Sequence, residues 1–153
     1  MEVVSIDKSL VFMLLCSLFI VLGGCATSKP AGQMPDDLKG AFTDDYGVQY
    51  TISDGMWTQH PDNRYRIVAW YPEAGYLVAQ NEEDNVSDGG LWTRIDWIPL
   101  EGMPPYTWAY CLSAYNAPTQ AAAAAVNIAQ KDTPRTGCNG FPFSRMKPAM
   151  ADD

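Results

Sequence analysis

The sequence predicts a mainly β domain, folded either as a single antiparallel meander barrel or as a compact β-sandwich of about seven strands, with one C-terminal α-helix. Three observations predict this class. Short segments rich in aromatic and β-branched residues recur along the chain, turn-forming residues separate them, and one alanine-rich stretch follows the last segment. Connections this short join antiparallel neighbours, because a parallel crossover needs about a dozen residues or more.

Seven strands are expected from this pattern. They lie near Gly40–Thr43, Val48–Ser53, Met56–His60, Tyr65–Tyr71, Tyr76–Asn81, Leu91–Ile98 and Tyr106–Tyr115. The segments between the early strands are rich in Gly, Pro, Asn and Asp, which supply the fixed or positive φ that tight turns require. These segments are Asp44–Gly47, Ser53–Gly55, Pro61–Asn63 and Pro72–Gly75.

The one helix is predicted from Thr119 to about Gln130. Pro118 and Thr119 supply a start signal, and the run of alanines that follows has the highest helix propensity in the chain. The tail from Thr133 is typical of a loop. Within it, Phe141 and Phe143 are expected to plug an edge of the core.

The N-terminal residues have the pattern of an export signal. Leu10–Leu22 is a run of thirteen residues without a charge. A helix of that length reaches roughly 20 Å at about 1.5 Å per residue, whereas a bilayer core is roughly 30 Å thick. The run therefore indicates the apolar region of a signal peptide at residues 1–24.

The next residues, Leu22-Gly23-Gly24-Cys25, resemble the lipobox of bacterial lipoproteins. The resemblance implies cleavage before Cys25 and a thioether-linked diacylglycerol on its sulfur, usually with an amide-linked acyl chain in diderm bacteria. Two or three chains anchor a protein stably where one would be marginal. An ordinary cleaved signal or a short uncleaved anchor remains the alternative, because one lysine against two acids is a weakly basic start.

The expected location is the cell envelope, with the lipid on Cys25 as the membrane contact. The resemblance implies the outer membrane, facing the periplasm, if the host is diderm, because Ala26 stands where an inner-membrane protein typically has Asp. Residues 25–37 are expected to form a lipidated flexible tether, 38–148 a β-rich globular domain and 149–153 a disordered tail. Removal of 24 residues from 153 leaves 129, which suffices for one domain.

The mature chain is acidic, with sixteen acids and nine bases remaining after the signal, a formal charge of −7. Such a surface is repelled by phosphate backbones and anionic headgroups, which argues against a nucleic-acid partner and against electrostatic membrane docking.

Cys111 and Cys138 are the two cysteines that neither leave with the signal nor accept lipid. An exported chain meets oxidising conditions, so they are expected to form a disulfide. Closing a loop of about 28 residues would stabilise the domain by roughly 3–4 kcal/mol on the chain-entropy model. A zinc site is the alternative, but two cysteines without a matching His or further Cys cannot complete tetrahedral coordination.

Catalytic equipment is sparse, so no enzyme activity, catalytic residue, metal site or cofactor other than the covalent lipid is predicted. His60 is the one histidine, and no nucleophile elbow or phosphate-binding loop is present. The acidic stretch Glu82–Asp88 lacks EF-hand spacing, because Val86 and Ile95 stand where calcium ligands belong.

Aromatic residues supply the remaining candidate site. Alternation along two strands places five side chains on faces that can carry a ligand: Trp92, Arg94, Asp96, Trp108 and Tyr110. Leu91, Thr93, Ile95 and Trp97 form the opposite face of their strand, which is expected to be core. Aromatics at period two are most often core as well, and an exposed Arg–Asp pair contributes little energy. Inside a barrel the same five residues would line an apolar site with polar anchors.

A meander of about seven strands followed by a helix resembles the calycin group of lipocalin-like small barrels, and Gly40-Ala41-Phe42 lies where lipocalins have Gly-x-Trp. The resemblance implies a barrel. Two functions remain open. The first is a non-enzymatic module that binds a small apolar or amphipathic ligand; the second is an envelope structural or assembly accessory that acts through protein–protein contacts.

Overall fold

The computed structural model describes residues 31–150, so the predicted signal peptide, Cys25 and the last three residues lie outside the described part of the chain. The described chain forms a closed antiparallel barrel of eight strands, in which each strand pairs with its sequence neighbours and the last pairs with the first. The strands are Gly40–Asp44 (β1), Gln49–Ile52 (β2), Met56–Gln59 (β3), Asn63–Tyr71 (β4), Tyr76–Asn81 (β5), Trp92–Pro99 (β6), Trp108–Ala117 (β7) and Ser144–Pro148 (β8). The mainly β prediction is confirmed, and the fold is a barrel consistent with the lipocalin-like type rather than a sandwich.

Strand β8 corrects the expected count of seven and the assignment of the whole tail as loop. Its residue Met146 pairs with Trp108 of β7 and with Asp44 of β1, which closes the barrel. Met146 is also the one fully buried side chain of this short strand. A strand with a single core residue has no visible alternation, so the sequence gives no strand signal there.

Inward-facing side chains fill the barrel. The buried core joins all parts of the sheet and has aromatic rings at its centre, where Trp57 and Trp108 are 2% and 1% exposed. The ring of Trp108 packs edge-to-face against the rings of Phe42 and Trp57, with ring centroids 5.2 and 6.0 Å apart. Aromatic quadrupoles favour this arrangement. The lumen is therefore occupied by side chains.

The residues before β1 dock against the end of the barrel at which β1 begins. The Gly32 amide donates a 2.6 Å hydrogen bond to the Trp70 carbonyl, and a side chain on Gly32 would collide with Pro72, 2.7 Å from the position of an added Cβ. A 3-10 helix at Asp36–Leu38 then places Leu38 in the core. The domain thus begins at Gly32, and the expectation of a flexible tether as far as residue 37 is wrong for its last part.

The predicted helix is present but shorter. Helix α1 spans Gln120–Ala125, and Thr119 caps it by accepting a hydrogen bond from the Ala122 amide. The chain leaves the helix at the β-branched Val126 instead of at Gln130. We call residues 119–143, which comprise α1 and the segment after it, the cover, because the helix and this segment pack on the outer face of β5, β6 and β7.

A disulfide and a tight hairpin hold the end of the cover. Cys111 of β7 forms the expected disulfide with Cys138, with Cα atoms 5.4 Å apart. Asn139 and Gly140 both have positive φ and turn the chain into a two-residue hairpin, in which Cys138 and Phe141 exchange backbone hydrogen bonds. Phe143 is buried as expected, whereas Phe141 is 71% exposed and does not plug the core.

At its C-terminal end the described chain continues to pair beyond β8. The Ala149 amide donates to the Ala41 carbonyl at 2.9 Å. The disordered tail was predicted to begin at Ala149, but this residue pairs with β1; residues 151–153 of the predicted tail lie outside the described part.

Candidate functional site

The barrel wall divides the five predicted ligand-binding residues into two groups. Trp108 and Tyr110 point inward with the aromatic core, whereas Arg94 and Asp96 point outward beneath the cover. Trp92 is half-buried and packs against the apolar cluster under α1. The opposite face of β6 packs inward, with Thr93, Ile95 and Trp97 buried as expected. Leu91, the fourth residue predicted for this face, precedes β6 and is half-buried. The structure therefore does not bring the five residues into one pocket.

Arg94 and Asp96 form the centre of a buried polar group that we call the Asp96 cluster. Arg94 donates from Nε and Nη2 to the two carboxylate oxygens at 2.8 and 2.9 Å. Ser113 Oγ donates to the same carboxylate at 2.6 Å, and Lys131 Nζ lies 3.3 Å from it. Because Asp96 is 1% exposed, these donors compensate for the loss of its hydration.

The Asp96 cluster fastens the cover to the barrel. Arg94 Nη1 donates to the carbonyl of Ala124 in α1 at 2.7 Å, and Lys131 Nζ donates to the carbonyls of Ala74 and Gly75. Burial lowers the pKa of Lys131, an effect that the neighbouring Asp96 carboxylate partly offsets. The cluster lines a 560 Å³ cleft, but Lys131 already donates two hydrogen bonds and forms an ion pair with Asp96, and both Asp96 oxygens accept from Arg94. Its evident role is to hold α1 and the β4–β5 turn together.

Inside the barrel, Tyr110 belongs to a hydrogen-bonded chain. The hydroxyls of Tyr110 and Tyr50 lie 2.8 Å apart, and Tyr50 donates to Asp44 at 2.9 Å. Burial raises the pKa of both phenols, that of Tyr110 to about 12 and that of Tyr50 still further. Trp108 Nε1 is buried with no hydrogen-bond partner among residues 31–150. These residues form the core of the domain, and they have few polar atoms available to a ligand.

A second cleft, of 470 Å³, lies where the end of the cover meets β8 and the β1–β2 turn; we call it the hairpin cleft. Its walls combine apolar side chains with two arginines and one carboxylate. The lining residues are Asp45, Tyr46, Leu100, Met103, Ala109, Pro134, Arg135, Pro142, Phe143 and Arg145. Sequence reasoning missed this cleft, because its residues come from five separate stretches of the chain. The Asn139-Gly140 pair was the one local signal for the hairpin beside it.

The residues considered for catalysis and metal binding have ordinary partners. His60 Nε2 lies 2.9 Å from Thr51 Oγ1 on the barrel surface. In the acidic loop, Glu82 pairs with Arg66 and Asp84 pairs with Arg64. Among the described residues, no three His, Cys, Asp or Glu side chains are placed to share a metal ion. Nor does the described chain have a helix with the length and hydropathy needed to span a membrane.

Comparison of the chain with protein-family models, with curated proteins and with solved structures gave no match. The class of this protein is therefore defined by its fold alone. It is a small, closed, antiparallel β-barrel with a filled lumen and a disulfide-linked cover on one side.

Proposed function

We propose that this chain is a lipid-anchored protein of the bacterial cell envelope, held by acyl chains on Cys25, whose barrel is a non-enzymatic module that binds a partner protein at its outer surface. The proposal that the barrel binds a partner at its outer surface rests on the filled lumen. A ligand inside the barrel would have to displace a buried indole such as Trp57 or Trp108, at a cost of several kcal/mol in lost packing. Of the two functions that the sequence leaves open, the geometry favours the one that needs no cavity.

The anchoring part rests on Leu10–Leu22 and the lipobox-like residues that end at Cys25. Six residues separate Cys25 from Gly32, where the domain begins. Seven Cα–Cα steps reach at most about 25 Å when fully extended. A lipid on Cys25 would therefore keep the domain close to the bilayer, where an envelope partner is accessible.

The anchoring is tested by mass spectrometry of the mature N-terminal peptide from a membrane fraction. A diacylglyceryl group on Cys25, loss of that adduct in C25S and an unchanged adduct in C16S are the expected results. A mature N-terminus at another residue, or an unmodified Cys25 thiol, would overturn this part of the proposal.

A small amphipathic ligand is the second candidate, because the 470 Å³ of the hairpin cleft lies within the range of roughly 300–1,000 Å³ typical of small-molecule sites. Native mass spectrometry distinguishes the two functions. A co-purified molecule of uniform mass whose removal lowers the melting temperature would favour the small ligand, and its absence, with no melting shift across a panel of lipids and metabolites, favours the protein partner.

A further inference from the structure

We propose that the hairpin cleft is the docking surface, and that its occupant is an extended segment of a partner protein with a carboxylate side chain next to an apolar one. This inference rests on the proposed function and specifies its surface and the chemistry of its partner. It is carried by three properties of the cleft: exposed apolar side chains at the rim, an arginine with no ion-pair partner in the described part of the chain, and walls that are already formed.

The rim carries apolar side chains in contact with water. Tyr46 is 72% exposed and Met103 is 41% exposed, whereas the floor residues Ala109 and Phe143 are buried. Large apolar side chains beside a concave apolar floor are the arrangement from which interface anchors are built, because a partner can bury both at once. An apolar side chain of the partner would lie on this floor.

The charge of the cleft differs from that of the whole chain. The full chain has a formal charge of −8, but the cleft contains Arg135 and Arg145 against the single carboxylate of Asp45. Arg145 Nε already donates to Asp45 at 2.8 Å. Arg135 is exposed and has no ion-pair partner among residues 31–150. A guanidinium free to form two parallel hydrogen bonds favours a carboxylate on the partner.

Hydrogen bonds fix both walls before any partner arrives. On the cover side, the Phe143 amide donates to the Pro134 carbonyl at 2.8 Å, and the neighbouring hairpin is linked to β7 by the disulfide. On the other side, the Tyr46 amide donates to Asp44 at 2.9 Å, which fixes the β1–β2 turn. A preformed surface loses little conformational entropy on binding.

The exposed rim of the cleft favours a peptide over a free acyl chain. The cleft lies on the outside of the barrel, with Tyr46, Met103 and Arg135 all at least partly in water. Small-molecule sites typically enclose most of the ligand surface, roughly 70–90%. An acyl chain here would stay partly hydrated, whereas a protein segment covers the cleft with its own backbone and flanking residues.

The chemistry of the occupant is tested by selecting peptides from a phage-displayed random library on the mature protein and measuring the affinity of the selected peptides by fluorescence anisotropy. We expect a consensus with Asp or Glu beside an aromatic or aliphatic residue. R135E and Y46S should each weaken binding by about tenfold or more. K39E and V86S make matching changes at exposed sites outside the cleft and should leave the affinity unchanged. A consensus without an acid, or affinities indifferent to R135E, would overturn the proposal, as would palmitate that competes with the peptides and itself binds R135E more weakly.

The location of the partner is tested by placing a photo-crosslinking phenylalanine analogue at one position at a time in the full-length chain, in intact cells. Tyr46 and Met103 probe the cleft, and Val68 and Val86 probe other exposed surfaces. Discrete adducts at Tyr46 and Met103 that a selected peptide suppresses are the expected result. Adducts confined to Val68 or Val86 would overturn the cleft while leaving a protein-binding function in place, and the absence of adducts at all four positions would overturn both.

Discussion

Arg94 and Asp96, two residues apart on β6, form a bidentate ion pair on the outside of the barrel that is nevertheless shielded from water, with side chains 8% and 1% exposed. The cover provides the shielding. A pair in this position acts through the structures it joins: its guanidinium reaches Ala124 in α1, and its carboxylate contacts Ser113 and Lys131.

Replacement of Arg94 by alanine should destabilise the fold strongly. R94A leaves the Asp96 carboxylate buried with fewer donors and removes the hydrogen bond to Ala124, so we expect a loss of about 3–5 kcal/mol in the free energy of unfolding, measured by chemical denaturation. R66A is the matched control, because the Arg66–Glu82 pair is far more exposed, with side chains 55% and 29% exposed, and should contribute about 1 kcal/mol or less. Equal effects of the two substitutions would contradict a structural role for Arg94.

Substitution of Gly32 tests the docking of the segment before β1. The added methyl of G32A would lie 2.7 Å from Pro72, so either the segment or the β4–β5 turn must shift, at an expected cost of about 1–3 kcal/mol. Hydrogen exchange should be faster at the amide of residue 32 in G32A than in the wild-type chain. In contrast, G55A meets no atom within 4 Å and should leave the free energy of unfolding nearly unchanged. If G32A is as stable as G55A, the docked segment is not part of the folded domain.

Loss of the disulfide should loosen the cover while the barrel persists. The bond closes a loop with a sequence separation of 27, so the double variant C111A/C138A should lose roughly 3–4 kcal/mol on the chain-entropy model. Exchange protection should fall mainly in residues 126–143, with β2 and β3 as internal references. Two free thiols in mass spectra of the mature protein would show that the bond is absent.

The buried phenols predict alkaline instability. Burial raises the pKa of Tyr110 to about 12 and that of Tyr50 further, above the value of 10.0 in the unfolded chain, so each residue stabilises the fold fully below pH 10. Above pH 10 the unfolded state loses protons that the folded state keeps, and stability falls by up to about 1.4 kcal/mol per pH unit for each tyrosine. The lowered pKa of Lys131 acts in the opposite sense.

Denaturation measured between pH 9 and 12, together with tyrosinate absorbance, tests this prediction. The variant Y110F should show a smaller decline in stability over that range than the wild-type chain. Ionisation of all tyrosines near pH 10 without unfolding would contradict it.

The strands that the sequence predicts well are those with several core residues in alternation. In β6, Thr93, Ile95 and Trp97 face the core as their pattern indicates. In β8 one buried residue, Met146, gives no pattern, and its place in the sheet depends on partners about forty and one hundred residues away.

The candidate site was less predictable for a geometric reason. Alternation separates the two faces of one strand, but it does not tell which face of one strand joins which face of another. Arg94 and Trp108 therefore looked like members of one set, whereas the barrel wall separates them. Nor does alternation reveal that a later segment covers an outward face, which is why a buried Asp96 cluster could not be distinguished from a solvated ion pair.

Closure of the sheet by β8 also limits how this protein can be recognised. An open sheet offers the free backbone amides and carbonyls of its outermost strands, to which another chain can add a strand. Here the ladder returns from β8 to β1, so strand addition is closed off and the barrel resists joining its own copies edge to edge. A partner of this barrel must therefore recognise side chains. Single substitutions on the surface that it contacts should have correspondingly large effects on its binding.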